Sequence, residues 1–205
     1  FSCRRYVNLA LDLNTTFTCT GGIQVANHYQ KCWKPGGHGT ETLTQGLMNS
    51  CNPFFITIGQ KLGKENFFKY FEAFGFTEKS GIDLPAEASP VADVTYHSLE
   101  KMGIAELSSS SFGQTFQVSP IQAVNAISTI ANGGKLMQPY VVDSILDSDG
   151  NVIAKTQSKV KRQVISEKTA STVLKYMRNV VENGTGKNAE DSKHKSAGKT
   201  ATAQT

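Results

Sequence analysis

From Thr42 onward, apolar residues recur at helical spacing at Leu43, Leu47, Phe54, Phe55, Ile58 and Leu62, with a break around Ser50–Pro53. Proline lacks a backbone N–H but fits a first helical turn, so the pattern predicts a second helix beginning at Pro53. Asn49–Asn52 then forms an inter-helix turn, a place where side chains can point into a cleft. "KENFFKYFEAFGF" predicts a further amphipathic helix, stopped by Gly75. "SPIQAVNAISTIANGG" predicts a helix capped by Ser119, with Pro120 in its first turn and Gly133–Gly134 at its end. In "SEKTASTVLKYMRNVVENGTG" Ser166 is the expected cap and Gly184 the terminator.

Strand signals are shorter. Residues 16–33 alternate enough for a hairpin turning near Gly21–Gly22 or Asn27, and residues 140–157 predict another with Asp149–Gly150 at its turn. "KPGGHGT" and "TEKSGIDLPAEASP" read as loops, and "KVKRQ" as a solvated strand face. Residues 1–13 have helical content but little pattern. The closing "SAGKTATAQT" predicts a short extended strand, with Lys199 and Ala201 on one side and Thr200 and Thr202 on the other. Helices dominate, and the last strand has no visible partner. The pattern suits the helix-rich part of an α/β domain whose sheet is incomplete. On this reading residues 1–205 are one partial domain, cut at both ends.

Composition narrows the classes. A chain of 205 residues with 39% hydrophobic and 19% charged residues can bury a core and is not disordered. A net charge of +4 is mild and does not call for nucleic acid. No run approaches the ~18 apolar residues of a membrane-spanning helix. Cys3, Cys19, Cys32 and Cys51 contain no C-x-x-C pair, which argues against zinc. Cys19 and Cys32 flank the first expected hairpin, either as two buried thiols or as a cross-strand disulfide. His28, His38, His97 and His194 show no ligand spacing and read as exposed or loop residues. "GTGKNA" lacks the length and the Ser or Thr of a phosphate-binding loop. Neither a metal nor a cofactor is expected.

Two segments carry candidate chemistry. "SCN" at Ser50–Asn52 puts a hydroxyl and a carboxamide on one turn; "KTAT" at Lys199–Thr202 puts an ammonium on an extended edge that could bind a peptide. Each alone is commonplace. Together they resemble the second and third motifs of penicillin-binding proteins and serine β-lactamases, Ser-x-Asn and Lys-Thr-Gly. "CWKPGGHGTETLTQGLMNSCNPFFITIGQKLG", "FGFTEKSGIDLPAEA", "SFGQTFQVSPIQAVNAISTIANGGKLMQPYVV" and "VVENGTGKNAE" also resemble class B penicillin-binding proteins, in the same order. The resemblance runs from about residue 15 to residue 205.

The resemblance implies the helix-rich lobe of a transpeptidase fold and a peptidoglycan D,D-transpeptidase working through an acyl-serine. Its partners would be a D-Ala-D-Ala stem peptide, β-lactams and proteins of a cell-division or elongation complex. Its place would be the extracytoplasmic face of the cell membrane, with an N-terminal anchor outside this chain. Carried over by motif, Ser50 relays protons to the leaving nitrogen and Asn52 hydrogen-bonds the substrate amide. Lys199 supplies positive potential, Thr200 and Thr202 bind the carboxylate, and the Thr202 N–H forms part of the oxyanion hole. Two departures stand out. No Ser-x-x-Lys lies upstream of Ser50, where the family carries it; the nearest match there, Ser2 to Arg5, has an arginine that cannot accept a proton. Ala201 replaces the family's glycine. The chain by itself is therefore expected to be inactive. The alternatives are a β-lactam sensor or β-lactamase-like hydrolase, and a non-catalytic scaffold of cell-wall assembly.

Overall fold

The computed structural model describes residues 15–201. The expectations for residues 1–13, the Ser2–Arg5 match and Thr202 lie outside the described residues. The chain divides into two units. One comprises residues up to Phe68, His97–Phe116 and the chain from Thr172; the other comprises Lys69–Tyr96 and Gln117–Ser171.

In the first unit, β1 (Thr16–Cys19) pairs antiparallel with β4 (Gly39–Thr42), while β2 (Gly22–Val25) pairs with β3 (His28–Lys31) across Ala26–Asn27. The single hairpin expected over residues 16–33 is thus two separate ladders. The reason lies at Gly37, whose φ is +81° and which rests directly on the end of β1. A Cβ there would stand 2.1 Å from the Cys19 carbonyl oxygen, so only glycine lets the 33–38 loop fold back and deliver β4 to β1.

Thr42 then caps α1 (Leu43–Met48) in a reciprocal box with Gln45: the Gln45 N–H donates to Thr42 Oγ1 at 3.3 Å and the Thr42 N–H to Gln45 Oε1 at 2.9 Å. After the Asn49–Cys51 turn, α2 (Asn52–Leu62) starts one residue earlier than the proline predicts. α1 and α2 touch where Gly46 faces Phe54, a Cβ on Gly46 falling 2.4 Å from that ring. α3 (Lys64–Ala73) follows and belongs to the second unit from Lys69. α4 (Ile104–Ser111) has no counterpart among the predicted helices, because its run of serines has poor intrinsic propensity. Packing overrides that preference. Ser108 and Ser111 return their hydroxyls to the Ile104 and Leu107 carbonyls at 2.6 Å, and Gln60 of α2 donates to Ser108 Oγ at 3.0 Å.

In the second unit, α5 (Pro120–Ala131) has the expected Ser119 cap, and Gln122 donates to the Gly75 and Glu78 carbonyls. β5 (Lys135–Gln138) pairs with β8 (Lys159–Gln163), and β6 (Ser144–Leu146) with β7 (Val152–Lys155). The "KVKRQ" strand is not simply a solvated face: Lys161 and Arg162 both pair with Glu78, and Arg162 also donates to the Ala73 carbonyl at 2.8 Å. α6 (Glu167–Asn183) begins in this unit at the Ser166 cap, belongs to the first unit from Thr172, and ends at Gly184.

The last described segment corrects another expectation. Residues 195–201 join no ladder; the Gly198 N–H donates to the Met177 carbonyl at 3.2 Å, and Arg178 donates to the Ser196 carbonyl at 2.7 Å. A strand needs a neighbouring edge in register. This segment lies against α6, which takes up its Gly198 N–H and Ser196 carbonyl instead. Among the described residues, no helix is long and apolar enough to cross a membrane.

Gly36 and Gly37 separate conformation from packing. Both have positive φ, but a Cβ at Gly36 meets nothing within 4 Å. Gly36→Ala should lose about 1–2 kcal/mol of stability in urea denaturation, the cost of left-handed backbone. Gly37→Ala should lose a further ~1–3 kcal/mol through overpacking, and equal losses would remove the packing explanation.

Candidate active site

The site is built around the three-residue turn between α1 and α2. The Asn49 N–H closes α1 on the Gln45 carbonyl at 2.8 Å, and the Cys51 N–H donates to the Gly46 carbonyl at 3.1 Å. Between them Ser50 adopts φ +51°, a left-handed conformation that costs a side-chain-bearing residue roughly 1–2 kcal/mol. Neighbours hold it there. The Trp33 indole donates to the Asn49 carbonyl at 2.9 Å, and the Asn49 carboxamide donates to Glu41 Oε1 at 2.8 Å. Cys51 is fully buried and packs with Cys19, Cys32 and Phe54.

Lys199 meets this turn from the far end of the sequence. Its Nζ lies 2.7 Å from Ser50 Oγ and 2.7 Å from its acceptor, the Thr200 carbonyl, and stands 6.0 Å from the centroid of the Phe55 ring. Burial lowers its pKa below the ordinary lysine value of 10.5. The loop after α6 closes the other side: the Thr185 N–H donates to the Met48 carbonyl at 3.1 Å, and Thr185 Oγ1 lies 2.7 Å from Thr200 Oγ1. Gly184 has no room for a side chain, since a Cβ would stand 2.7 Å from the Met48 oxygen.

Of the sequence-derived candidates, Ser50, Lys199 and Thr200 come together through these contacts. Asn52 opens α2 beside them, and its side chain makes no hydrogen bond among the described residues. Thr202 is outside the described residues. Trp33, Glu41 and Thr185 were not legible as site residues; for Thr185 the signal was present in "ENGTG", a small polar residue between helix-ending glycines. Chemically, an ammonium donating to Ser50 Oγ leaves the serine proton free to travel onward, which is what a proton relay requires.

Beneath the turn the structure departs from the reading of the cysteines. Cys19, Cys32 and Cys51 are all free and buried, so the disulfide alternative is not realised. His38, read as an exposed or loop histidine, is half-buried, with Nδ1 3.4 Å from Cys32 Sγ and its ring edge-on to Trp33 at 5.1 Å. The three sulfurs and one His38 ring nitrogen lie within 4.8 Å of one another, a set able to hold a metal ion. The lack of C-x-x-C spacing does not keep these donors apart, because the strand pairing supplies the proximity that the spacing lacks. Burial, reinforced by the Glu41 carboxyl, pushes the Cys51 thiol well above its ordinary pKa.

Comparisons with known proteins place the chain in a family and a fold. Residues 7–205 match the family model described as the penicillin binding protein transpeptidase domain. Stage V sporulation protein D of Bacillus subtilis is 41% identical over 199 residues, covering 97% of this chain and 30% of that protein. The chain thus spans about a third of that relative's length. The D,D-transpeptidase domain of a peptidoglycan glycosyltransferase from Eggerthella lenta superposes with a TM-score of 0.84 at 26% identity, covering 96% of this chain and 50% of that one. Penicillin binding protein 3 of Mycobacterium tuberculosis, solved with aztreonam, shares the fold at a TM-score of 0.76 and 21% identity, over 91% of this chain and 42% of that one.

Two outcomes follow from the turn and the lysine. Ser50→Gly should be about 1 kcal/mol more stable than Ser50→Ala in urea denaturation, since both lack the hydroxyl but only alanine keeps the left-handed cost. A lowered Lys199 pKa means that burial of the charged form costs stability at lower pH, and the cost disappears as pH rises through the folded-state pKa towards 10.5. The wild-type chain should therefore gain stability relative to Lys199→Met across that alkaline window. A flat difference would mean that the amine titrates normally.

Proposed function

This chain belongs to the penicillin-binding protein transpeptidase domain family, and on that premise we propose that it carries the proton-relay and carboxylate-binding side of a peptidoglycan D,D-transpeptidase site. In such a reaction a serine attacks the D-Ala-D-Ala carbonyl, the terminal D-Ala leaves with a proton on its nitrogen, and an amine of a second strand takes the acyl group. The observation that carries the reading is the 2.7 Å contact between Lys199 Nζ and Ser50 Oγ, made by residues 149 positions apart.

In this scheme Ser50 Oγ accepts from Lys199 while its own proton passes to the departing nitrogen. The left-handed turn keeps the hydroxyl presented at the end of α1 rather than folded back onto the helix. Lys199, partly desolvated, gives its positive charge greater reach than it would have in water, and that potential favours a substrate bearing a terminal carboxylate. Thr200 follows with its hydroxyl paired to Thr185, and it and Thr202 are the residues assigned to the carboxylate. Asn52 offers an uncommitted carboxamide to the substrate amide. Stem peptides ending in D-Ala-D-Ala, and β-lactams that mimic them, are the proposed ligands, and the extracytoplasmic face of the membrane is the proposed place of action.

Labelling with a fluorescent penicillin tests the scheme. The 205-residue chain, with no Ser-x-x-Lys upstream of Ser50, should take no heat-stable label. A longer chain containing these residues together with an upstream Ser-x-x-Lys segment should label. There Lys199→Ala should slow labelling by about 10²–10³ through lost electrostatic stabilisation, and Ser50→Ala by about 10²–10⁴ through lost proton transfer. Unchanged rates in both variants would refute the assigned roles, and a label on Ser50 itself would make it the nucleophile instead.

A further inference from the structure

We propose that Cys19, Cys32, His38 and Cys51 bind one divalent metal ion of the zinc class, and that this ion fastens the Ser50-bearing turn to the strands beneath it. The second half of the proposal rests on the transpeptidase reading; the first does not. The donor set points to the metal. Three sulfurs and an imidazole nitrogen are soft-to-borderline ligands, suited to zinc and unsuited to magnesium or calcium, which take oxygen.

The geometry fits the same ion. Zinc–sulfur bonds of about 2.3 Å and zinc–nitrogen bonds of about 2.0 Å in a tetrahedron place ligand atoms about 3.5–3.8 Å apart. The contact between Cys32 Sγ and His38 Nδ1 is 3.4 Å, and no pair in the set exceeds 4.8 Å. Closing on an ion therefore needs movements of about an ångström or less. A disulfide accounts for the site poorly, since it would join two of the sulfurs and leave a third cysteine and the histidine unexplained. Four protein ligands and near-complete burial of the cysteines make this a closed, structural type of site rather than one with an open position for substrate.

Two unpaired polar atoms border the cluster. His38 Nε2 and Glu41 Oε2 are buried and have no hydrogen-bond partner among the described residues. Glu41 is only 1% exposed, so a carboxyl oxygen is stranded at the edge of the cluster. A divalent cation at the centre offsets the charge that ligation leaves on the neighbouring sulfurs, and would take His38 through Nδ1, the ring nitrogen that faces Cys32. The surrounding backbone is shaped for the purpose. Gly37 lets the loop bearing His38 lie on the Cys19 carbonyl, and Trp33 braces the His38 ring while its indole holds Asn49.

The ligands come from four places: the end of β1, the residue after β3, the loop before β4 and the N-cap of α2. Cys51 lies between Ser50 and Asn52 in the chain. One ion thereby joins the strands to the middle of the Ser-x-Asn motif. Binding is not a redox step: the ion enters with its charge unchanged, each thiol that ligates it releases one proton to solvent, and His38 ligates as the neutral ring.

The test uses the 205-residue chain, stripped with a chelator under reducing conditions and titrated with cobalt(II). Saturation at one equivalent per chain is expected, with tetrahedral d–d bands and a thiolate-to-cobalt charge-transfer band, both abolished by one equivalent of zinc. Cys32→Ser should weaken cobalt binding at least about tenfold and reduce the charge-transfer intensity. If that variant does not fold, His38→Ala serves in its place, with loss of the four-ligand spectrum expected. Failure of the wild-type chain to bind one equivalent, or a spectrum without thiolate charge transfer, would overturn the metal site. Hydrogen exchange then tests the fastening: zinc should slow exchange of the residue 49–52 amides at least about tenfold. Binding without that protection would refute the link to the turn and leave the metal site standing. Neither readout depends on acylation, so failure of the transpeptidase reading would be seen separately.

Discussion

Everything at the site depends on Ser50 being held in a left-handed turn that it would not adopt by itself. A conformation costing about 1–2 kcal/mol persists only where the surroundings specify it more strongly, and here they do so from several directions. Trp33 takes the Asn49 carbonyl, Glu41 takes the Asn49 carboxamide, and Cys51 is locked beneath in the cluster with Phe54. The rest of the first unit can be understood as the scaffold for those restraints. The β1–β4 ladder places Glu41 and delivers Thr42 as the cap of α1, while the close approach at Gly46 and Phe54 sets the angle at which the two helices meet the turn.

Once the turn is set, the position of Lys199 follows from packing at the opposite end of the sequence. Residues 195–201 have no ladder to join, so α6 carries them through Met177 and Arg178, and Gly184 and Thr185 dock the end of that helix on Met48. The lysine arrives partly desolvated, which makes it a more potent electrostatic element and a costlier one to bury. That balance is typical of sites where a charge is kept for its effect on a ligand rather than for stability. The proposed metal ion belongs to the same economy of restraint. It would replace fluctuating thiol packing under the turn with directional bonds, at a point one residue from the hydroxyl that Lys199 contacts.

The second unit shows how polar residues can organise a fold without chemistry. Glu78 gathers Lys161 and Arg162, Arg162 reaches the carbonyls at the end of α3, and Gln122 satisfies the carbonyls of Gly75 and Glu78. Charges that a strand pattern assigns to solvent go instead to the Glu78 carboxylate and to the backbone carbonyls at the end of α3. Side chains of this kind are ambiguous in sequence because the acceptors they serve lie far along the chain.

Local signals alone determined most helices. The α1, α5 and α6 caps, the proline near the start of α2, the glycine ends and the Asn27 and Asp149–Gly150 turns are interactions within a few residues, so their chemistry is written contiguously. The Ser-x-Asn and Lys-Thr signatures likewise identified Ser50 and Lys199 as partners. Tertiary structure decided the rest. It paired β1 with β4 rather than β2, because Gly37 folds a loop onto Cys19. It made a helix of a serine-rich segment, because α2 supplied a packing surface. It kept the closing segment out of any described ladder, because α6 engages its backbone at Ser196 and Gly198. It also brought Cys19, Cys32, His38 and Cys51 together although their spacing carries no ligand signature. Spacing encodes proximity only along one element, whereas these four side chains meet across several.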